Sequence, residues 1–407
     1  MLVQFAVENF QSIRDRVVLD MRKLNIKEHE DTLINGGYLP VSVIYGPNAG
    51  GKSTVVGALS MFLSIIGIPL HLLSTPGQII QASIPVPVPY LLDKDSRNKP
   101  TVFEVVFQLN DKQYRVYMEC LSGKFKYESL QEKGAKGKPA TLYERTDNTI
   151  ILGNKISGIP HKTMTIAEDI PALVYLRRLF DVSPIKEITE FIRNSYPINF
   201  GSPIAENMMQ SALGLPASDA NMRKAMLSMM RYLNLDIDDF DIQFLNKEQS
   251  AFQIRAFHKM KNGTYFLPLQ VESMGTQKIF NLLPCLIACL QNGTMLLVDE
   301  LDAKLHPKML ERIIGLFTSK ANNPNGAQLI FTSHDIATMN SDVFRRDEIW
   351  FAAKNESEST DLYSLADIRD EDGELVRKDA IYSKQYLEGR YGADPYFSAM
   401  KRWEDKR

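Results

Sequence analysis

The run Tyr45-Gly46-Pro47-Asn48-Ala49-Gly50-Gly51-Lys52-Ser53-Thr54 constrains this chain more than any other, because it fits the pattern GxxxxGK[ST] in a setting that gives the pattern mechanical meaning. Val41-Ser42-Val43-Ile44-Tyr45, short and β-rich, precedes it, and a long apolar run opens at Val55. In the order strand, loop, helix, the glycines let backbone N–H groups converge on phosphate oxygens while the helix N-terminus adds its partial positive charge at the same point. Gly46, Asn48, Gly50, Gly51, Lys52, Ser53 and Thr54 are therefore expected to cradle a nucleoside triphosphate. Lys52 reaches the β- and γ-phosphates and Ser53 holds Mg²⁺. The plain alternative is a chance match in a glycine-rich turn, and the flanking elements weigh against it.

Charge and cysteine content narrow the class. The 407 residues hold 47 Lys and Arg against 49 Asp and Glu, a formal charge of −2, so no global basic field advertises nucleic acid. Cys120, Cys285 and Cys289 are too few for a disulfide framework and suit a reducing compartment, so a cytoplasmic protein is expected. Cys285 and Cys289 stand four apart in a helix-like apolar run; without a partner Cys or His nearby, buried core outweighs half a metal site. The opening Met1 to Phe10 alternates like a strand and carries Glu8, which is unlike a secretory signal. Val55 to Leu73 approaches membrane length, yet it contains Gly57, Gly67, Pro69 and His71 and starts on the phosphate loop. A helix buried against a sheet explains it, and no membrane is expected.

Along the chain four stretches differ in texture. Residues 1–75 read as strand, turn, strand, phosphate loop and helix. Residues 76–160 begin with the proline-rich Ile84 to Tyr90 and continue as a β meander through Val102–Phe107, Tyr114–Met118 and Phe125–Leu130, an antiparallel annex. Residues 161–245 turn helical, with Met222, Met226, Met229 and Met230 on one apolar face that reads as core or, alternatively, as an adaptable partner surface. Residues 246–407 return to strands at Gln253–Arg255 and Tyr265–Leu269, with a later pair at Asp347–Phe351 and Asp361–Leu365.

That last stretch carries chemistry. In Glu272-Ser273-Met274-Gly275-Thr276-Gln277-Lys278, Ser273 is placed to cap an apolar helix running from Ile279 to Leu290, and a hydroxyl beside free N–H groups suits a phosphate as well as a bare cap. Thr294-Met295-Leu296-Leu297-Val298 reads as a fully buried parallel strand that ends abruptly in Asp299 and Glu300. Unpaired carboxylates are costly there unless a cation or a proton occupies them. Asp299 can join the Mg²⁺ shell and Glu300 can polarise an attacking water. A second apolar strand, Ala327 to Ser333, delivers His334, which sits where ligands bind in open α/β sheets or else is a satisfied structural histidine.

Together these motifs resemble the ABC-type ATPase heads of the SMC, RecF and OLD class. The likeness rests on the loop Gly46 to Ser53, the degenerate signature from Glu272, the strand ending at Glu300, the D-loop residue Asp302 with Leu305-His306-Pro307, the switch histidine His334, and Glu8-Asn9-Phe10-Gln11-Ser12-Ile13 at the start. Within the class it is most similar to compact bacterial AAA-fifteen-type ATPases, many found in anti-phage defence operons; Tyr386 to Ala393 adds to that likeness. The resemblance implies an α/β P-loop head with a mixed sheet, an antiparallel β annex and an inserted helical subdomain. It also implies ATP hydrolysis with Mg²⁺, Glu300, His334 and Lys52 as catalytic residues, and Ser273, Gly275 and Asp302 joining the phosphate loop in holding ATP. Ser53 and Asp299 bind the metal, and a homodimer or higher homo-oligomer forms through the ATP sites. Biologically it implies the ATPase half of a defence system gating a separately encoded effector, a nuclease among the candidates. A RecF-like repair or clamp protein, which leaves nucleic acid open as a partner, is the alternative; a transporter subunit fits the annex and the signature poorly. One departure stands: the glutamine that such heads often present to Mg²⁺ is assigned to none of Gln78, Gln81 and Gln108.

Overall fold

The computed structural model describes residues 1–73, 84–134, 137–156, 159, 161–200, 219–245, 252–369 and 373–393. β1 (Leu2–Glu8) and β2 (Val17–Asp20) pair antiparallel, and β3 (Val41–Tyr45) then leaves for another sheet and feeds α1 (Lys52–Leu73) through the glycine loop. β4 (Thr101–Leu109) comes back to pair with β1. β5 (Lys112–Leu121), β6 (Lys124–Lys133), β7 (Ala140–Thr146), β8 (Thr149–Leu152) and β9 (Thr163–Thr165) follow as a meander, completing the order β2-β1-β4-β5-β6-β7-β8-β9. Strict alternation drives the long strands: Phe103, Val105 and Phe107 of β4 are buried while Val102, Glu104 and Val106 between them are half-covered.

The second sheet positions the chemistry. α2 (Ala172–Leu179) and α3 (Ser183–Arg193) lead into β10 (Tyr196–Asn199); after α4 (Ala220–Tyr232), β11 (Asp239–Phe244), β12 (Phe252–Met260) and β13 (Gly263–Pro268) form a small sheet of their own. α5 (Met274–Asn292), β14 (Met295–Asp299), α6 (Pro307–Thr318), β15 (Gln328–Thr332), β16 (Ile349–Lys354), β17 (Thr360–Ser364) and α7 (Tyr382–Leu387) complete the chain. The sheet order is β10-β14-β15-β3-β16-β17, parallel throughout except at the β16–β17 hairpin.

Both faces of this sheet are covered, so its three central strands read as continuous apolar runs and every residue of β3, β14 and β15 is buried. Successive side chains still part to opposite sides. Ile44, Leu297 and Ile330 face a core shared with α1, α2, α3 and the eight-stranded sheet. Val43, Val298 and Phe331 face a second core built with α4, α5 and α6. α1 lies under the first core, which explains how a helix apolar enough to cross a membrane is accommodated by packing: Val55, Leu59, Phe62 and Ile66 are all buried.

Several sequence expectations meet the structure here. The fold class is as expected, an α/β head with a mixed sheet and a large antiparallel sheet. Met226 and Met230 are buried in the second core with Met222 and Met229 packed against it, so the methionine face is core. β12, β13 and the β16–β17 pair form where the strand patterns place them. Two expectations change. The annex, set between the phosphate loop and the rest of its domain, pairs with residues 1–75 through β4 along β1, and its meander runs on to Thr165, past 160. The stretch 161–245 is not purely helical, because β10 extends the parallel sheet beside β14 and β11 pairs with β12. Tyr-Pro-Ile-Asn is too short to announce a strand, and its partner lies far along the chain. α2 and α3 belong to the first core and α4 to the second, so among the described residues the middle of the chain shares its cores with the flanking parts.

Candidate functional site

Parallel strands end on one side of a sheet, and here β3, β14 and β15 deliver the phosphate loop, Asp299–Glu300 and Ser333–His334 to that side. The loop itself is shaped by close backbone approach. Gly46 has φ +144° and a Cβ there would collide with the Ala352 carbonyl oxygen, so only glycine lets the loop fold against β16. From the other side, Thr360 donates its hydroxyl to Gly50 O (3.1 Å) and lies 2.8 Å from the Ser12 hydroxyl, while Ser12 donates to Thr54 Oγ1 (3.0 Å). The opening turn after β1 and the start of β17 thus brace the loop that the sequence marks.

Lys52 opens α1 and is buried, with Nζ donating to the carbonyl oxygens of Gly46 (2.9 Å) and Pro47 (3.0 Å). Burial pulls its pKa below the ordinary lysine value, against the pull of Asp299, Glu300 and Asp302 in the other direction. Those three carboxylates are the charges nearest in effect to the ammonium. Ser53 donates its hydroxyl to Asp299 Oδ1 at 3.0 Å. A hydroxyl and a carboxylate side by side are hard oxygen donors of the kind Mg²⁺ takes. The residues present therefore fit a magnesium-bound triphosphate: loop N–H groups and Lys52 for phosphate, Ser53 and Asp299 for the metal.

One hydroxyl ties the two acids together, and no spacing along the chain points to it. Thr332, the last residue of β15, donates to Asp299 Oδ1 (2.7 Å) and accepts from the Glu300 N–H (2.7 Å). Glu300 itself has φ +55°, so the chain turns sharply where the strand stops and the side chain leaves the sheet. Beyond it, Asp302 Oδ2 accepts from the His334 N–H (3.0 Å), whereas Asp302 Oδ1 is buried without a hydrogen-bond partner in the chain. His334 is exposed at the same strand end, and Asp335 Oδ2 beside it is likewise buried and unpaired. Buried acceptors that the chain leaves unpaired at this strand end are open to a further ligand.

The segment from Glu272 to Lys278 lies on a different element. Ser273 caps α5, accepting from Thr276 N (3.2 Å), and it is exposed, as is Met274. Glu272 is held by His258 Nε2 of β12 at 2.7 Å, and Gln277 Nε2 donates to the carbonyl oxygens of Gln270 (3.2 Å) and Glu272 (2.7 Å). Gly275 packs against the turn after Glu300: a Cβ on it would lie 2.8 Å from Lys304 O. Among the described residues the Ser273 hydroxyl bonds within its own cap, to Thr276.

Gln108, one of the three glutamines considered for the metal, is engaged elsewhere, its amide donating to Asn110 O (2.6 Å) and accepting from Tyr38 (3.3 Å). Gln78 and Gln81 lie outside the described residues. Cys285 and Cys289 belong to the core, their thiols pushed up to about 12 by burial, and among the described residues no group of three or more His, Cys, Asp or Glu gathers as a metal site.

Among solved structures the chain is similar to the Smc head bound to the C-terminal winged-helix domain of ScpA, at 14% identity and a TM-score of 0.42, over 89% of this chain and 97% of that one. It is also similar to a Pyrococcus furiosus Smc head with an extended coiled coil bound to the C-terminal domain of ScpA, at 11% identity and a TM-score of 0.40, over 89% and 96%. No curated protein matches it. The family model described as "AAA domain, putative AbiEii toxin, Type IV TA system" matches residues 41–340, from β3 through the loop, both acids and the segment with His334, and the chain therefore belongs to that family of AAA-domain proteins.

Proposed function

We propose that this protein is a magnesium-dependent ATP hydrolase whose two copies close over ATP and thereby gate a separately encoded effector, in anti-phage defence. The observation that carries the hydrolase reading is the convergence of Ser53, Asp299 and Thr332 at 3.0 and 2.7 Å beside Lys52, on the ends of three neighbouring elements. Gly46, Asn48, Gly50, Gly51 and Thr54 shape the phosphate cradle, Lys52 neutralises phosphate charge, Ser53 and Asp299 hold the metal, and Glu300 orients and deprotonates the attacking water. Bound Mg²⁺ supplies charge neutralisation at the β- and γ-phosphates. His334 and Asp302, joined at 3.0 Å, sense the γ-phosphate end.

Dimer closure is supported by the separation of roles between elements. Ser273 and Gly275 sit exposed or half-exposed at the start of α5, and the cap there offers a hydroxyl and helix N–H groups to an anion on a neighbouring surface. In this reading the signature of one copy covers the ATP held by the other. Moving a 1:99 equilibrium between open and closed forms to 99:1 takes about 5.5 kcal/mol of differential binding, which two buried γ-phosphates can contribute. The toxin–antitoxin wording attached to the family supports a separately encoded partner. A cytoplasmic setting agrees with three unpaired thiols.

The test uses three variants. Lys52→Ala loses nucleotide binding; Glu300→Gln binds ATP and loses about a hundredfold or more in turnover, as when a positioned base is removed. Ser273→Arg binds ATP as a monomer and fails to close. Wild-type turnover by Glu300→Gln would remove the base assignment, and full, concentration-independent hydrolysis by Ser273→Arg would place the whole site within one chain. Affinity capture with trapped ATP separates the roles: a co-purifying effector protein supports gating, and DNA alone supports a repair or clamp function.

A further inference from the structure

Lys278 is a buried lysine that the nucleotide site as described does not use. It stands in α5, five residues after Ser273, and its Nζ donates to three backbone carbonyls: Glu300 O (2.7 Å), Leu301 O (2.9 Å) and Ala303 O (2.9 Å). The ring of Phe200 covers the same ammonium at 4.3 Å. The residue is only 6% exposed. A buried lysine is retained only where its charge is well satisfied, and here each of its three donors is matched by a carbonyl of one short turn.

That turn is the segment on which hydrolysis depends. It begins at Glu300 (φ +55°) and ends at Lys304 (φ +64°), both in the left-handed region that non-glycine residues visit only under strain. Its own hydrogen bonds are few: Leu301 N to Thr332 O (3.2 Å), Ala303 N to Glu300 O (3.2 Å) and Leu305 N to Asp302 O (2.9 Å). The carbonyls of Glu300, Leu301 and Ala303 point together, which concentrates partial negative charge, and one cation at their focus offsets it. Gly275, three residues before Lys278, packs on the far end of the turn, its absent Cβ leaving room for Lys304 O. The first turns of α5 therefore grip residues 300–304 at both ends.

We infer that Lys278 is a positioning residue that holds Glu300 and Asp302 in their reactive places and makes the turn carrying them one body with the helix that begins at Ser273. The inference rests on Glu300 acting as the base. Lysine is suited to this because a compact ammonium can serve three carbonyls at once, whereas the planar fork of arginine keeps the charge and serves only some of them from the same place on the helix.

The experiment compares Lys278→Met, which keeps the length and apolar stem, with Lys278→Arg, which keeps the charge. Steady-state MgATP hydrolysis, ATP affinity and hydrogen exchange of the amides of residues 301–305 are measured on the full chain. Displacing a base by about 1 Å is enough to cost on the order of a hundredfold, so Lys278→Met is expected to lose about 10- to 100-fold in kcat while KM and ATP affinity stay within about twofold. Exchange at Leu301, Ala303 and Leu305 is expected to quicken, and Lys278→Arg is expected to recover part of kcat. An unchanged kcat, or a loss of ATP affinity equal to the loss of rate, overturns the inference; so does Lys278→Arg performing no better than Lys278→Met. Should Lys278→Met not fold, Lys278→Gln, which retains a donor, is measured the same way against the same expectations. If the wild-type protein hydrolyses no ATP, the functional reading falls, and unchanged exchange at residues 301–305 in the variants still overturns the clamp.

Discussion

Replacing Thr332 by valine removes one hydroxyl and almost nothing else, which makes it the sharpest probe of the site. The side chain is fully buried, and valine is close to it in volume, so the loss is of the hydroxyl and not of packing. Two hydrogen bonds go: the donor to Asp299 Oδ1 and the acceptor for the Glu300 N–H, both 2.7 Å. An unsatisfied buried N–H costs about 1–3 kcal/mol, and a hydrogen bond to a charged acceptor contributes about 1.5–3 kcal/mol. Asp299 keeps its bond from Ser53 at 3.0 Å, so the two losses overlap and do not simply add. The expected destabilisation is about 2–3 kcal/mol, roughly a 30- to 150-fold shift in the folding equilibrium. Chemical denaturation reads it as a lower midpoint at unchanged slope. With the left-handed Glu300 released from Thr332, turnover falls by about 10- to 100-fold and the Mg²⁺ requirement rises, because both acids lose a fixed orientation. Thr332→Ser keeps the hydroxyl and serves as the reference. Should the valine variant lie within about 0.5 kcal/mol of the serine variant and turn over ATP equally well, the hydroxyl does not organise the two acids.

Two further outcomes follow from buried titrating groups. Burial pushes the Glu348 carboxyl up to about 8, with Asp347 and Glu28 adding to the rise and the Arg345 N–H opposing it. Between the ordinary value of 4.5 and about 8 the folded state holds a proton that the unfolded state has released, so stability contributed by this group is present at low pH and falls as pH rises through that window. Glu348→Gln removes that slope; denaturation midpoints of the two proteins should diverge from pH 5 to about 8 in favour of the variant, and parallel pH profiles would contradict the assignment. Cys285 and Cys289, both pushed to about 12 by burial, should resist a thiol reagent at pH 8 in the folded protein and react after unfolding. Fast labelling of native protein at these positions, read by mass spectrometry, would show that α5 opens.

Much of this molecule is written locally, and that part was legible residue by residue. The phosphate loop needs only its own glycines, lysine and serine between a β-rich run and an apolar helix, so GxxxxGK[ST] locates it before any tertiary contact is known. Ser273 caps α5 because a cap is a bond across three residues, and the run before Asp299 is apolar because both faces of β14 are covered. The methionine face of α4 follows the helical period and is core for the same reason. What the sequence alone left undecided depends on partners far away in the chain. Whether the meander stands apart or continues β1 is a matter of which edge it pairs with, and Leu2–Glu8 shows the same alternation either way. Gln328 is a polar residue inside an apolar strand until the fold brings Leu2 N, Leu2 O and Leu39 O to its amide at 2.5, 3.0 and 3.1 Å. Thr332 and Lys278 are ordinary letters of a strand and a helix; their roles arise only when β15 lies beside β14 and α5 lies against the turn after Glu300. Local chemistry sets where a phosphate can be held, because short-range spacing encodes it, while the alignment of the groups that would act on it is decided by contacts across the sheet that no periodicity records.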